Sequence, residues 1–533
     1  MSTIKLARIF SDGVILQRGK DIKIWGFADA GENVSVTLAG KCMNVSADEN
    51  GRFDAAFPKM EKGGPYTLEA KSESGSSVAG DVMIGDVVLV SGQSNMEFPM
   101  DRVCKTYPDE WDGPFDSKIS TFKVTENGVF GEPIEDVLTG EWKKVSAESI
   151  GQFSAVGYFT AKHMRAHEDV AVGIVDISLG GAPIESFMST ELLDGYDSAL
   201  AEAAKFCDDA YRLKVLEDNE KNEIGWREAL DDNDIGVKER FEDGKKILEK
   251  GRDIVLPDFF SDTELDGLVG SVWLAKTFTV PKEYVGKAAQ LWFGTMVDYD
   301  FGYVNGKYVG TTDYTYPPRR YDIPEGLITE GENTVVIRLC VQKGYGRVTP
   351  GKLYGIVFGN GIRKTDGFNE WLEGADHIER LGGVWKYLIG HRCEPSPETI
   401  FVNWKPTSLY NGMLAPLAGL SVKAFAFYQG ESNCQNYEEY TGLTERFMEG
   451  LRQMFGEDLP YICVQLPEFN SRMEEVSFDG GKAWRGLMAA QEKCLSFPGF
   501  YMVKAYGTGE LNDLHPQRKE PIGKAIADII VTL

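Results

Sequence analysis

The chain is poor in the groups that most enzymes use for metal, thiol or phosphate chemistry. Its eight cysteines (Cys42, Cys104, Cys207, Cys340, Cys393, Cys434, Cys463 and Cys494) include no CxxC pair, which argues against a zinc or dithiol redox site. Several stand inside apolar runs such as Tyr461-Ile462-Cys463-Val464, where a thiol acts as a small core residue. Histidine is scarcer still, with five in 533 residues (His163, His167, His377, His391 and His515), so no metal and no cofactor is expected. Positive charge is outnumbered: 56 Lys and Arg against 82 Asp and Glu leave a formal charge of −26, which opposes nucleic acid and anionic lipid as partners. No apolar run approaches the ~20 residues of a membrane span, and Met1 to Gly13 holds no apolar stretch of signal-peptide length. The expectation is a cytoplasmic protein without a membrane partner.

What remains is globular, with 42% apolar and 11% aromatic residues and a length that suits about three or four domains. Residues 1–84 alternate apolar and polar positions, as in Val34-Ser35-Val36-Thr37-Leu38, and predict a small N-terminal β-sandwich. From Gly85 the pattern changes to short, continuously apolar strands at 85–90, 171–177, 424–428, 461–465 and 500–505, with helix-like stretches such as Phe153–His167 between them. That alternation predicts a parallel α/β sheet covered on both faces, divided into a first part at 85–210 and a second at 361–533. Residues 211–264 read as a charged helical connector. Residues 265–360 read as a second β-sandwich inserted into the α/β domain, in which Asn305-Gly306 marks a two-residue hairpin.

The residues that follow each apolar strand carry the chemical information, because ligands of open α/β sheets bind beyond the carboxyl ends of the strands. Ser94 follows the first, Gly180-Gly181 the second and Gln429-Gly430-Glu431 the third, while Asp513 and His515 lie near the C-terminus. Acyl transfer from a serine needs a histidine to take its proton and a carboxylate to orient that histidine. Asp513 and His515, two residues apart, project to one side of an extended segment and could share a hydrogen bond. Each signal has a plain structural explanation as well: serine caps helices, paired glycines make tight turns, and Gln, Glu and Asn build turns. The second glycine of GxSxG is missing, so the sharp nucleophile elbow is not expected.

Taken together, Gly92-Gln93-Ser94-Asn95-Met96, Gly180 to Met188, Tyr428-Gln429-Gly430-Glu431-Ser432-Asn433 and Asn512-Asp513-Leu514-His515-Pro516 resemble, in order, the motif blocks of the SGNH hydrolases, in particular the sialate O-acetylesterase-like carbohydrate esterases. The resemblance implies a flavodoxin-like, three-layer parallel-sheet domain, with the insert looking like a jelly-roll or galactose-binding module. It implies Ser94 as nucleophile, His515 as base and Asp513 as orienting acid, with the N–H groups of Ser94 and Gly181 in the oxyanion hole. Gln429 is the first choice and Asn433 the second for a side-chain amide there, and Gln93 and Glu431 are further site residues. Glu185 and Glu431 are expected to anchor loops. The implied substrate is an acetylated carbohydrate, sialate first and acetylated xylan or xyloglucan oligosaccharides as the alternative; an anionic sugar would call on Arg102, Arg392 or Arg518. Two competing functions are an SGNH esterase for lipid or thioester and a non-catalytic carbohydrate-binding protein, which the aromatic-rich insert (Trp273, Trp292, Tyr299, Tyr303) would serve. An unpaired sandwich edge leaves room for a homo-oligomer.

Overall fold

The computed structural model describes residues 4–469 and 481–533. Its central feature is one very long strand, Gly75–Gly92, whose burial changes along its length. As far as Met83 exposed and buried positions mix, and from Ile84 to Gly92 every residue is buried. The N-terminal half pairs antiparallel with Gly63–Ser72, which continues to Asn33–Leu38 and Lys41–Ser46. The C-terminal half is the middle strand of a parallel sheet. The change of patterning near residue 84 is therefore a change of environment within one strand, from a sheet wetted on one face to one covered on both.

The parallel strands lie in the order Ile119–Lys123, Val172–Asp176, Gly75–Gly92, Ala424–Tyr428, Tyr461–Val464, Phe500–Val503, with Trp142–Lys144 antiparallel at one edge. The strands before 177 lie on one side of the Gly75–Gly92 strand and those after 423 on the other, so the strand order reverses beside it. A crevice must open at the carboxyl end of such a strand, since the connections on either side leave in opposite directions. Helices Ala155–His167 and Glu520–Ile530 pack together closely enough that a Cβ on Gly523 would stand 2.6 Å from Phe159 Cβ. Tyr437–Phe455 meets Lys482–Lys493 at Gly486, where the Tyr437 ring occupies the corresponding space.

The interruption of the sheet begins with a polar helix, Asp209–Asn233, of which only Val215 and Leu230 are buried. Its N-cap Asp208 accepts the N–H groups of Ala210 and Tyr211, the expected remedy for orphan donors. A six-stranded antiparallel sheet follows, ordered Arg252–Leu256, Gly383–Arg392, Gly270–Phe278, Asn333–Val341, Tyr299–Val304, Lys307–Thr312. A four-stranded antiparallel sheet is ordered Arg320–Ile323, Ala289–Phe293, Tyr354–Phe358, His377–Arg380. Leu274 and Ile337 of the first sheet and Leu291 and Ile356 of the second share one core with Trp385. The paired strands thus span 252–392, wider than the 265–360 that patterning marks. The outer strands carry mixed burial, with Val255 and Val384 exposed, so their apolar signal is diluted and only pairing with the Gly270–Phe278 strand identifies them. The Asn305-Gly306 turn is present, with positive φ at both residues, as a type I′ hairpin needs.

Candidate active site

The Gly75–Gly92 strand ends at Gly92, whose φ of +129° and closeness to the Tyr428 carbonyl, 2.1 Å from a hypothetical Cβ, exclude any side chain. That approach lets Gln93 N–H donate to Tyr428 O at 3.0 Å and locks two strand ends together. Gln93 is 3% exposed, and its Oε1 accepts the N–H groups of Gly430 (3.3 Å) and Ser432 (3.2 Å). Ser94 then opens a one-turn helix, Ser94–Glu97, and its Oγ stands 2.7 Å from His515 Nε2. Two residues separated by 421 positions are thus within hydrogen-bond reach.

His515 is 7% exposed. Its ring stacks on Phe98 (centroids 5.9 Å apart, 18° between planes) and meets Tyr316 edge-on at 4.7 Å and 87°. Burial, with the charges of Lys519 and Arg102 adding to it, pushes the imidazole pKa down to about 3, because water that would solvate the cation is gone. The ring is therefore neutral at pH 7 and can accept a proton. Asp513 sits beside it with both carboxylate oxygens engaged: Oδ1 accepts the His515 main-chain N–H at 2.9 Å and Oδ2 accepts from Lys352 Nζ at 2.8 Å. The two side chains were expected to share a bond; among the described residues the link runs through the main-chain N–H.

A buried polar chain lies behind Ser94. Asn95 Nδ2 donates to Glu431 Oε1 (2.6 Å) and Leu514 O (3.0 Å), and Asn95 Oδ1 accepts from Lys519 Nζ (2.5 Å). The Lys519 ammonium also lies over the rings of Phe98 and Tyr428, 5.1 and 5.3 Å from their centroids. Burial lowers its pKa to about 7 against the opposing pull of Glu431, Asp513 and Glu510, and burial raises that of Glu431. Glu431 thus holds Asn95, which in turn holds the Leu514 segment. Glu185 accepts from Asn433 Nδ2 at 2.8 Å.

Gln429 and Asn433 face away from the crevice. Gln429 Nε2 donates to Asn433 Oδ1 (2.6 Å) and Ala182 O (3.3 Å), and its Oε1 accepts from Tyr440 Oη (2.8 Å). Asn433 Oδ1 also takes the Ile184 N–H at 3.0 Å. Both amides hold the Ala182–Glu185 turn to the sheet edge, where buried polar groups must be paired, and neither lines the cavity. This corrects the expectation that one of them offers an N–H to the site. Gln93 does line the cavity, and its bonds to Gly430 and Ser432 use only the oxygen.

Gly181 has φ +76°, and a Cβ there would fall 1.9 Å from Trp404 Cζ2; only glycine admits both the turn and the indole. Its N–H, like that of Ser94, has no hydrogen-bond partner among the described residues, whereas Gly180 N–H is held by Glu97 Oε2 at 2.6 Å. These groups border a cavity of about 820 Å³ with aromatic walls from Phe98, Trp404, Phe401, Tyr314 and Tyr316. Phe401 and Trp404 stack at 3.8 Å. Of the three arginines singled out, Arg102 lines the cavity, bonded to Tyr314 Oη at 2.8 Å. Arg392 is held in a strand opposite Gly270 and Arg518 donates to Gly507 O, so neither is at the cavity wall.

Lys352, Tyr314, Tyr316 and Trp404 had no signal in the sequence, since each comes from a segment remote from the motif blocks. Lys519 had one: it stands four residues after His515 in a polar run, yet is 1% exposed. Among the described residues no helix is long and apolar enough to cross a membrane, and no group of three or more His, Cys, Asp or Glu is placed to hold a metal ion.

Comparison with known proteins finds similarity to carbohydrate esterases. Residues 393–530 match the family described as carbohydrate esterase, sialic acid-specific acetylesterase. The sialate O-acetylesterase of Rattus norvegicus is 28% identical over 187 residues, covering 32% of this chain and 34% of the rat protein. That of Homo sapiens is 27% identical over 199 residues, covering 34% and 38%. The matched region thus spans about a third of the curated relatives' length. A carbohydrate acetylesterase from Xanthomonas citri superimposes with a TM-score of 0.56 at 20% identity, covering 98% of this chain and 74% of that one. Over its C-terminal segment the chain is thus similar in sequence to sialic acid-specific acetylesterases, and over nearly its whole length it shares the fold of a carbohydrate acetylesterase.

Proposed function

We propose that this chain is a serine carbohydrate O-acetylesterase, sialate O-acetylesterase-like, that removes acetyl groups from sugar hydroxyls through an acetyl-Ser94 intermediate. The observation that carries the reading is the 2.7 Å contact between Ser94 Oγ and a buried, neutral His515 at the strand-order reversal of a parallel sheet. Ser94 Oγ attacks the acetyl carbonyl carbon while His515 Nε2 takes the hydroxyl proton. The carbonyl oxygen gathers negative charge, which the N–H groups of Ser94 and Gly181 and the Gln93 amide would hold. When the tetrahedral species collapses, the C–O bond to the sugar breaks and His515 returns the proton to the departing alcohol. Water, deprotonated by His515, then attacks the acetyl-serine and releases acetate. Asp513 supports the imidazolium that forms twice in this cycle.

The aromatic walls support a sugar substrate, whose C–H faces pack on rings while its hydroxyls seek polar groups. The strand order supports an SGNH-type, flavodoxin-like three-layer domain, to which 1–84 adds an N-terminal β-sandwich and the two sheets of 252–392 add a jelly-roll-like one. Buried cysteines such as Cys340, Cys463 and Cys494, which form no disulfide, suit a reducing, cytoplasmic setting. The test is acetate release from 4-nitrophenyl acetate and from a panel of acetylated sugars. Wild type should turn over, and Ser94→Ala should lose about 10⁴-fold or more in kcat. A fully active Ser94→Ala rejects the mechanism.

A further inference from the structure

Lys352 belongs to the inserted β region and precedes Asp513 by 161 residues, yet its side chain is 2% exposed and its Nζ lies between Asp513 Oδ2 (2.8 Å) and Glu510 Oε2 (2.9 Å). Burial works against its charge, but Asp513 and Glu510 outweigh burial and hold its pKa above the usual lysine value. Both oxygens of Asp513 are thereby spoken for, one by the main chain of the histidine it accompanies and one by a cation from another part of the fold. Glu510 extends the clamp: it accepts Arg363 Nη1 at 3.1 Å and the Gln517 N–H at 3.0 Å. Lys352 and Arg363 therefore hold the 510–517 loop before His515, at Glu510 and Asp513, and Glu510 in turn holds Gln517 beyond it. Tyr316, from the same region, touches the imidazole itself.

We propose that Lys352 is a positioning residue for ester hydrolysis, which fixes the Asp513 carboxylate and the 510–517 loop so that His515 Nε2 stays within reach of Ser94 Oγ. The inserted β region is then a working part of the active site. The physical reason is the narrow tolerance of proton transfer: the base must lie about 2.6–3.2 Å from the atom it deprotonates, and a displacement of about 1 Å can cost 10²-fold. A loop of eight residues outside any helix or strand has little regular structure to hold that tolerance, and the catalytic part meets it at His515 through Ser94 and Phe98, at Leu514 O through Asn95 and at Gln517 through Thr106, leaving Asp513 and Glu510 to other partners. The clamp from the insert supplies the rest. The inference rests on the serine-esterase reading.

The experiment measures acetate release and active-site concentration, by acyl-enzyme burst, for the full-length wild type, Ser94→Ala, Lys352→Met, Lys352→Arg, Asp513→Asn and Lys352→Met/Asp513→Asn. Lys352→Met should lose about 10²-fold in kcat per active site with KM changed less than about threefold. Lys352→Arg, which restores a cation, should recover about tenfold of that. Because Lys352 acts through Asp513, the double variant should be no slower than Asp513→Asn alone, a non-additivity expected of residues in one unit. Wild-type kcat in folded Lys352→Met, or losses that multiply in the double variant, overturns the proposal. If Lys352→Met does not fold, Lys352→Met/Glu510→Gln removes one charge of each sign; kcat well below that of Glu510→Gln alone supports the proposal, and equal kcat overturns it. An inert wild type or an active Ser94→Ala breaks the esterase reading as a whole. An active wild type, an inert Ser94→Ala and an unimpaired Lys352→Met break the Lys352 inference alone.

Discussion

Two buried polar clusters flank His515, and they are built on different plans. The chain Glu431–Asn95–Lys519 comes entirely from the edge of the parallel sheet, and a neutral amide stands between its anion and its cation. The cluster Asp513–Lys352–Glu510–Arg363–Glu370 joins carboxylates directly to cations, and its cations come from segments at 347–365. The first is a local brace, legible in kind because Asn95 and Glu431 lie within motif blocks. The second crosses between two parts of the fold, and its strength depends on both being in place. A buried charge that loses its counter-charge is costly, whereas charges that lose a neutral amide between them lose hydrogen bonds alone.

That contrast can be broken by substitution. The largest effect is expected from Glu510→Ala, which removes the carboxylate that Lys352 and Arg363 share in a dry interior and leaves each with a single one, Asp513 or Glu370: about 3 kcal/mol of stability by denaturant titration. A loss below about 1 kcal/mol would put the two clusters on the same footing. Gly181→Ala follows, since the Cβ would collide with Trp404 and disfavour the φ that aims the Gly181 N–H; kcat on 4-nitrophenyl acetate should fall about 10²–10³-fold, the worth of one oxyanion donor. Asn95→Ala, cutting the amide between Glu431 and Lys519, should cost about 1–3 kcal/mol in the same denaturant assay. If it costs more than Glu510→Ala, the local brace is the stronger of the two.

The pH dependence of the rate sharpens the comparison further. His515 has its pKa lowered to about 3, so the active neutral base persists well below the ordinary histidine value of about 6.5. The acid limb of kcat/KM should therefore fall below roughly pH 5, and a limb near 6.5 would mean that the site is wetter than its burial implies. For stability the sign is the same. A depressed pKa means that the unfolded chain binds the proton first, so the contribution of His515 is present above about pH 6.5 and is lost as pH falls from there towards 3. Last and smallest is Tyr314→Phe, which removes the hydroxyl that Arg102 binds at the cavity wall: KM for an acetylated sugar should rise by up to about tenfold while kcat holds.

Reading the chain unaided picked out Ser94 and His515, which the structure brings together, and missed what holds them. Ser94, Gly181, Asp513 and His515 were legible because strands ending at one sheet edge announce themselves as short apolar runs, and the residues beyond them are exceptional in type. Gln429 and Asn433 were misplaced because nothing in a Gln-Gly-Glu-Ser-Asn segment says which amide turns inward; packing against Tyr440, Ala182 and Glu185 decided it. Arg102 could not be told from Arg392 and Arg518 by nearness in sequence to the motif blocks, since nearness along the chain does not set the direction of a side chain.

The amino-acid order by itself determined the parallel sheet, the edge at which its unusual residues collect and the hairpin at Asn305-Gly306, which follow from periodicity and from local turn chemistry; the pairing of Ser94 with His515 was implied by the resemblance of the motif blocks. Tertiary structure alone decided that one strand serves two environments, that Gln93 rather than Gln429 faces the cavity, and that a distant β region brings Tyr316 against His515 and Lys352 against Asp513. Contacts between segments more than a hundred residues apart depend on how whole sheets pack, and neither pattern nor composition records that.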